Sequence, residues 1–518
     1  MKRTLTRAAG LLLATALLAA CGARPVIPAD RSKLPTAAAD PVWSPPAVET
    51  WTLPNGMAVW FLRQDQAPLI SLRLVFPRGG ASDPLGKAGL TSLVGDMLDE
   101  GAGGRTSLQL SEDLQRLATD YGASTSTDAL MVSMDMLADK MSESFKILKD
   151  LLRSPAFPAE EFERRKAQRI SQALADEANP GTAASLTLRH ALFGSGYGGM
   201  APSGVRATLE GLTLDDVKAQ YAAVIQPEGA TIVVVGATDK ATVDQALRAV
   251  LGDWKGSPTA VVQPVEAMTP GAAIHLVDFP GSTQSVVQVA RRVGGTTSDE
   301  LFATEVFNWA LGGAFTSRLN LNLREDKGYT YGARSGFNRW RAGGFFSLGA
   351  SVKADTTRPS IDEILKELKE IASNRPVTDQ ERNEAVNGML LGFPGDFERM
   401  ASVAGELASQ VIDGHPSDWL HQWPERLAKV TTADANAQAH DRTEGDFVIV
   451  VVGDKASLLP ALESLGRPVV VHDSQGNVLP EAPAAAPEAP AQVPEPAQPG
   501  KPAKPVKAPK THPKQAAH

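Results

Sequence analysis

The chain has 518 residues, 43% of them hydrophobic, which is enough for about three domain-sized units with apolar cores. Its 59 acidic residues outnumber its 51 basic ones, giving a formal charge of −8. This balance disfavours a nucleic-acid partner, because such proteins need a basic face to displace counterions. The only cysteine is Cys21, so disulfides cannot stabilise the chain and the fold must depend on its core.

The N-terminus has the pattern of an export signal. Lys2, Arg3 and Arg7 precede a short apolar run, and Leu-Ala-Ala-Cys follows at residues 18–21. The last four residues resemble the bacterial lipobox, which implies a signal peptide over residues 1–21 and acylation of Cys21. An ordinary cleaved signal with a chance cysteine is the alternative. Gly22, in place of Asp, resembles the outer-membrane sorting signal of Gram-negative hosts, so we expect a lipid-anchored protein on the periplasmic face of the outer membrane.

Two compositionally biased segments flank the rest of the chain. Residues 22–46 are rich in Pro and Ala and indicate an extended tether. Residues 476–518 contain mostly Pro, Ala and Glu, then Lys, with too few large apolar side chains to offset the entropy of ordering. We predict a disordered tail whose Lys-rich end either is simply solvated or contacts anionic lipid or cell-wall polymer. No later stretch is apolar for long enough to cross a bilayer, so membrane contact is expected through the lipid anchor alone.

Between these ends, two strand motifs occur twice. An alternating apolar strand ends at Gly79-Gly80 and a similar strand ends at Gly294-Gly295, 215 residues later. A buried-type strand ends at Gly236 and again at Gly453, 217 residues later, each followed by an amphipathic helix. The matching offsets predict two homologous α+β domains, residues 47–257 and 258–475, each an antiparallel-type sheet packed with helices.

A helix is predicted directly after the first Gly-Gly. Its apolar residues follow the i, i+3, i+4, i+7, i+8 spacing of one buried face, and three glycines end it. The apolar residues are Leu90, Leu93, Val94, Met97 and Leu98. Asp96, Asp99 and Glu100 are interpreted as the solvated face of this helix.

The order LPNGMAVWF, Gly-Gly strand end, then Gly-Leu on a helix resembles the opening of pitrilysin/insulinase zinc metallopeptidases. Active members carry H-x-x-E-H on this helix, where two histidines on one face hold zinc and the glutamate activates water. Alignment on Gly89 places Ser92 and Asp96 at the histidine positions and Gly95 at the glutamate. The family's third ligand, a glutamate, corresponds to Gln172.

The residues at these positions are poor zinc ligands. Asp96 alone is suitable, whereas serine, glycine and amide are weak partners for this metal. The eight histidines include no pair at i, i+3 or i, i+4 that could replace the motif. We therefore expect this chain to bind no zinc.

The second domain carries LGGAFTSRLNLNLREDKGYTYGA at residues 311–333, which resembles the family's C-terminal signature. The resemblance implies that Arg324 and Tyr331 reach the zinc site of a facing domain, orient the peptide and stabilise the oxyanion. Tyr329 is a less favoured alternative to Tyr331. The simpler interpretation is a surface ion pair of Arg324 with nearby acids and a half-buried strand aromatic at position 331.

In this family two halves of a clam-like shell enclose the active site, and some bacterial members are heterodimers. One subunit bears the zinc helix and the other supplies only the Arg–Tyr pair. The chain resembles the second kind, so the leading hypothesis is a non-catalytic subunit that acts on extended periplasmic peptides with a homologous exported partner carrying an intact H-x-x-E-H helix and the zinc. The alternative is an inert scaffold or peptide-binding lipoprotein of the same fold. A self-sufficient peptidase would need ligands that the sequence lacks.

Overall fold

The computed structural model of the protein describes residues 43–265, 271–294 and 298–479. The predicted signal peptide, Cys21, nearly all of the tether and the tail from residue 480 lie outside these ranges and remain predictions. Among the helices that the structure describes, none is both long enough and apolar enough to cross a membrane.

The first half of the described chain contains eight strands and eight α-helices. The strands are β1 (Glu49–Thr52), β2 (Ala58–Arg63), β3 (Leu69–Phe76), β4 (Gly101–Ala102), β5 (Arg105–Thr106), β6 (Asp120–Thr125), β7 (Leu130–Leu137) and β8 (Thr231–Gly236). The helices are α1 (Leu90–Met97), α2 (Ser107–Arg116), α3 (Met141–Arg153), α4 (Ala159–Glu177), α5 (Pro180–Phe193), α6 (Arg206–Glu210), α7 (Leu214–Val224) and α8 (Lys240–Leu251).

The second half has a similar element order over its described residues. Its strands are β9 (Ile274–Asp278), β10 (Gln284–Val293), β11 (Thr330–Trp340), β12 (Gly343–Lys353), β13 (Val448–Gly453) and β14 (Val469–His472). Its helices are α9 (Ser298–Asn308), α10 (Arg318–Asn320), α11 (Thr357–Ile371), α12 (Asp379–Gly392), α13 (Met400–Asp413), α14 (Trp419–Ala428), α15 (Thr432–Thr443) and α16 (Lys455–Glu463). Two π-helical stretches, Trp309–Gly313 and Leu321–Asp326, flank α10.

The two sheets repeat one topology. The strand order is β1-β2-β8-β3-β7-β6 in the first sheet and β14-β9-β13-β10-β12-β11 in the second. In both, one parallel pair (β2 with β8, β9 with β13) adjoins antiparallel neighbours. Only the outermost strand differs, because β1 is antiparallel to β2 whereas β14 is parallel to β9. The α+β prediction with two homologous halves is confirmed.

Each sheet is also covered by a helix from the other half. Leu188 and Leu192 of α5, in the first half by sequence, are buried in a cluster with Val450 of β13. Conversely α13 lies on β3 and β8, where Arg73 donates a hydrogen bond to the carbonyl of Ala401 at 3.3 Å. Because both faces of the central strands β8 and β13 are covered, these strands are apolar throughout instead of alternating.

The described chain continues past β14. The amide of Leu479 donates to the carbonyl of Val471 at 2.8 Å, and Val478 forms a bridge with His472. Residues 476–479, where the tail was predicted to begin, therefore fold back on the last strand.

Candidate functional site

Helix α1, the predicted metal helix, is held at its N-terminus by a buried carboxylate. Asp83 accepts hydrogen bonds from the amides of Gly89 and Thr91, both at 2.8 Å, and from the Thr91 hydroxyl at 2.6 Å. Gly89 has φ of 95°, a left-handed conformation that favours glycine. The Thr91 hydroxyl also accepts from Gln220 of α7, so these contacts fix where α1 begins and how it faces α7.

The structure brings the four degenerate positions to one region. The Ser92 hydroxyl donates to the carbonyl of Pro202 at 2.7 Å, so it is already engaged. Asp96 lies on the next turn of α1 and Gln172 on α4, and both line a cavity of about 270 Å³. The Gln172 amide donates to Asp176, one turn along its own helix, at 3.0 Å.

A guanidinium is the cation at this site. Arg169 of α4 forms a bidentate ion pair with Asp96, with one N–O distance of 2.9 Å, and donates to the carbonyl of Ser92 at 3.3 Å. The Asp96 carboxylate, the one suitable metal ligand among the motif positions, is therefore neutralised from within the chain. In the part of the chain that the structure describes, no cluster of three His, Cys, Asp or Glu side chains could hold a metal ion. The residues present do not fit zinc.

At the position of the general base, Gly95 has no side chain, and the neighbouring strand leaves little room for one. A Cβ atom built on Gly95 would lie 3.2 Å from the Cβ of Ala123 on β6, closer than an ordinary van der Waals contact. A longer side chain there would have to displace the edge strand or turn away from it.

The acidic residues at the end of α1 are not a solvated face, so that interpretation was wrong. Glu100 is only 2% exposed and forms ion pairs with Arg164, at 2.6 Å, and with Arg165. Burial raises the pKa of Asp99, although the Arg165 charge partly offsets the rise. These acids face α4, and burying a carboxylate is tolerated because arginines pair with it.

The Arg–Tyr motif lies at the edge of the second sheet, on elements that follow one another. Arg324 belongs to the second π-helical stretch, where its guanidinium lies 4.4 Å from the ring centre of Phe315 and pairs with Glu325 at 2.9 Å. Tyr331 is on the edge strand β11, beside an irregularity in its pairing with β12, and its side chain is 95% exposed. The predicted ion pair of Arg324 is present, but Tyr331 is not a half-buried strand aromatic.

Comparison with known proteins identifies the family to which the chain is related. The family model for insulinase (peptidase family M16) matches residues 59–194, and the model for the peptidase M16 inactive domain matches residues 211–389. The chain belongs to the insulinase family. It is a peptidase-like member in which the motif positions of the metal helix carry other residues.

Several relatives of this family cover most of the chain. The non-peptidase homolog YmxG of Helicobacter pylori is 25% identical over 393 residues, which are 75% of this chain and 90% of that protein. An uncharacterized zinc protease of Streptomyces coelicolor is 21% identical, over 68% of this chain and 78% of its own length. The crystal structure of a peptidase M16 inactive domain from Pseudomonas fluorescens matches with a TM-score of 0.73 and 25% identity, over 79% of this chain and 98% of that one.

The arginines of α4 are the site residues that sequence reasoning missed. Arg165 and Arg169 are four residues apart, as are Asp96 and Glu100, and the pairs run in opposite directions: Asp96 with Arg169, Glu100 with Arg165. Two helices packed antiparallel produce this pairing. The complementary spacing within RRKAQR was the available signal.

The buried cap of α1 predicts a pH dependence of stability. Burial raises the pKa of Asp83 from 3.8 to about 6, so the folded state favours its protonated form. The stabilisation from this group is fully present below about pH 4 and is lost as the pH rises through 6, a difference of at most about 3 kcal/mol. Asp83→Asn should remove this component from the free energy of unfolding measured by urea titration between pH 4 and 7. The exposed Asp65→Asn is the control, and parallel profiles for wild type and Asp83→Asn would contradict the assignment.

Proposed function

We propose that this protein is the non-catalytic subunit of a heterodimeric zinc endopeptidase. It supplies Arg324 and Tyr331 to a site whose zinc and H-x-x-E-H helix belong to a homologous partner. The substrate class is extended peptides of the periplasm, and the chain is anchored there by lipid on Cys21, at the outer membrane.

The exposure of Tyr331 carries the proposal. A side chain that is 95% exposed contributes almost nothing to the core, so the chain's own stability does not require a phenol at this position. A tyrosine presented in this way is suited to donate a hydrogen bond to a molecule outside the chain.

The surroundings of Arg324 support the same role. The Phe315 ring supports one face of the guanidinium and is itself 63% exposed, and Leu321 on the same π-helical stretch is 50% exposed. Aromatic, aliphatic and arginine side chains exposed together are typical of surfaces that a partner covers. A guanidinium held on a ring needs little further ordering to bind a peptide carbonyl.

The alternative is an inert scaffold or peptide-binding lipoprotein of the same fold. It accounts for the Asp96–Arg169 ion pair equally well, because a scaffold also needs no metal. It does not account for a half-buried arginine beside an exposed tyrosine in the family's C-terminal signature. We therefore favour the complementing subunit.

The test uses the chain from residue 22 onward and an exported homologue with H-x-x-E-H from the same organism. We expect no stoichiometric zinc in this chain by atomic absorption and no cleavage of fluorogenic peptides by it alone. Cleavage should appear, or rise at least about tenfold, when the two chains are mixed. A partner whose motif glutamate is replaced by glutamine is the control and should give no activity in the mixture. Stoichiometric zinc with cleavage by the isolated chain would overturn the proposal.

A further inference from the structure

The second half contains a cavity of about 700 Å³ at the carboxyl end of β10, a volume suited to a small ligand or a large side chain. It lies between α9, α12, α13 and α14. In the first half, the cleft with Asp96 and Gln172 lies between α1 and α4. These two helices occupy the positions in their half that α9 and α12 occupy in the second half. The cavity is thus the second half's counterpart of the degenerate metal cleft, but it is larger and differently lined.

Aromatic rings form one wall of this second-half cavity. Trp309 fits closely against α12, because a Cβ atom on Gly388 would lie 2.6 Å from its ring. Trp419 and Phe302 also line the cavity, and the guanidinium of Arg426 lies 4.6 and 5.1 Å from their ring centres. Within this chain, therefore, these rings already bind a cation through their faces.

Carboxylates also line the cavity. Glu305 is neutralised by Arg339 at 2.6 Å. Glu406 is half-buried on α13, while Asp396 and Asp413 are exposed, and none of these three forms an ion pair with any residue that the structure describes. Burial raises the pKa of Asp413 to about 6, and the charges of Arg339 and Arg341, which also line the cavity, partly offset this rise. Burial raises the pKa of Glu406, and the Asp396 charge adds to the rise. An entering cation would relieve both effects.

A buried acceptor also lacks a partner. Gln410, 7% exposed, lines the cavity and donates its amide to Glu406 at 2.7 Å, but its side-chain oxygen has no hydrogen-bond partner. A buried acceptor left in this way costs about 1–3 kcal/mol unless a ligand or water satisfies it.

We propose that the second-half cavity binds the basic side chain of a peptide, arginine or lysine, between its aromatic wall and the carboxylates of Glu406 and Asp413. Four carboxylates line the cavity against two arginines, Arg339 and Arg341, which disfavours anionic ligands, and the aromatic wall suits a guanidinium or ammonium group with an apolar stem. The inference depends on the proposed function in one respect, namely that the bound cation belongs to a peptide. It would give the complex a preference for basic residues at a point remote from the cleavage site.

The test measures binding of acetyl-Ala-Arg-Ala-amide to the chain from residue 22 onward by titration calorimetry, with acetyl-Ala-Gln-Ala-amide as the uncharged probe. We expect the arginine peptide to bind at least about tenfold more tightly. Glu406→Gln combined with Asp413→Asn should abolish this difference, whereas the exposed Glu384→Gln on α12, outside the cavity, should preserve it. If the double variant does not fold, Asp413→Asn alone should still weaken the arginine peptide severalfold.

Equal affinities of the two peptides for the wild-type chain, or a preference that survives in folded variants, would overturn the inference. No partner or zinc is present in this measurement. Its failure would therefore leave the complementing-subunit proposal standing, and an inactive mixed complex would leave a measured arginine preference standing.

Discussion

Replacing Arg324 with alanine is expected to reduce peptide cleavage by the assembled complex by about 10²–10³-fold, the cost of losing one preorganised donor to a developing oxyanion. Tyr331→Phe removes one hydroxyl and should lower the rate by about tenfold or more. The loss should appear mainly in kcat, because these donors act most strongly on the transition state. The measurement is steady-state cleavage of a fluorogenic peptide by the mixed subunits.

Measurements of stability distinguish this catalytic role of Arg324 and Tyr331 from a structural one. Tyr331 is 95% exposed, and Arg324 pairs with Glu325 and with the ring of Phe315, both exposed, so neither change should alter the free energy of unfolding by more than about 0.5 kcal/mol. Tyr329→Phe is the matched control, two residues away on the approach to the same strand, and should leave the rate almost unchanged. Wild-type activity of Arg324→Ala and Tyr331→Phe would favour the scaffold, and an equal loss in Tyr329→Phe would mean that the phenol at 331 has no specific role.

The local pattern of the sequence was sufficient for much of the fold. The apolar runs ending in glycine are β3, β8, β10 and β13, each in the corresponding position of its sheet. Period and turn residues specify such elements because alternation and glycine act over a few residues. The alignment of Asp96 with Gln172 also brought together two residues, 76 positions apart, that line one cavity. Here the resemblance supplied the long-range information.

What the sequence did not reveal was set by contacts between distant segments. Nothing local in α5 indicates that its buried face belongs to the other half's sheet, because an amphipathic helix shows that it packs but not against what. The same limit applies to Arg169, which is an ordinary helix arginine until α4 is known to face Asp96. The second-half cavity likewise depends on Trp309, Glu406 and Trp419, which converge only in three dimensions.

The exchange of helices between the halves gives the second large prediction. Leu192 of α5 is fully buried against the second sheet, so Leu192→Ala should lower the free energy of unfolding by about 2–5 kcal/mol. Leu174→Ala on α4 is the control, since Leu174 is 48% exposed and its truncation should cost less than about 0.5 kcal/mol.

Because α5 belongs to one half by sequence and to the other by packing, this loss should destabilise both halves together. Urea unfolding of Leu192→Ala, followed by tryptophan fluorescence and by far-UV circular dichroism, should show coincident transitions shifted to lower denaturant. Tryptophans lie in both halves, with Trp254 buried in the first and Trp419 in the second, so the summed fluorescence of the eight tryptophans follows the unfolding of both halves. Separate transitions for the two halves would mean that the halves unfold independently. An effect no larger than that of Leu174→Ala would mean that the packing of α5 on the second sheet contributes little to stability.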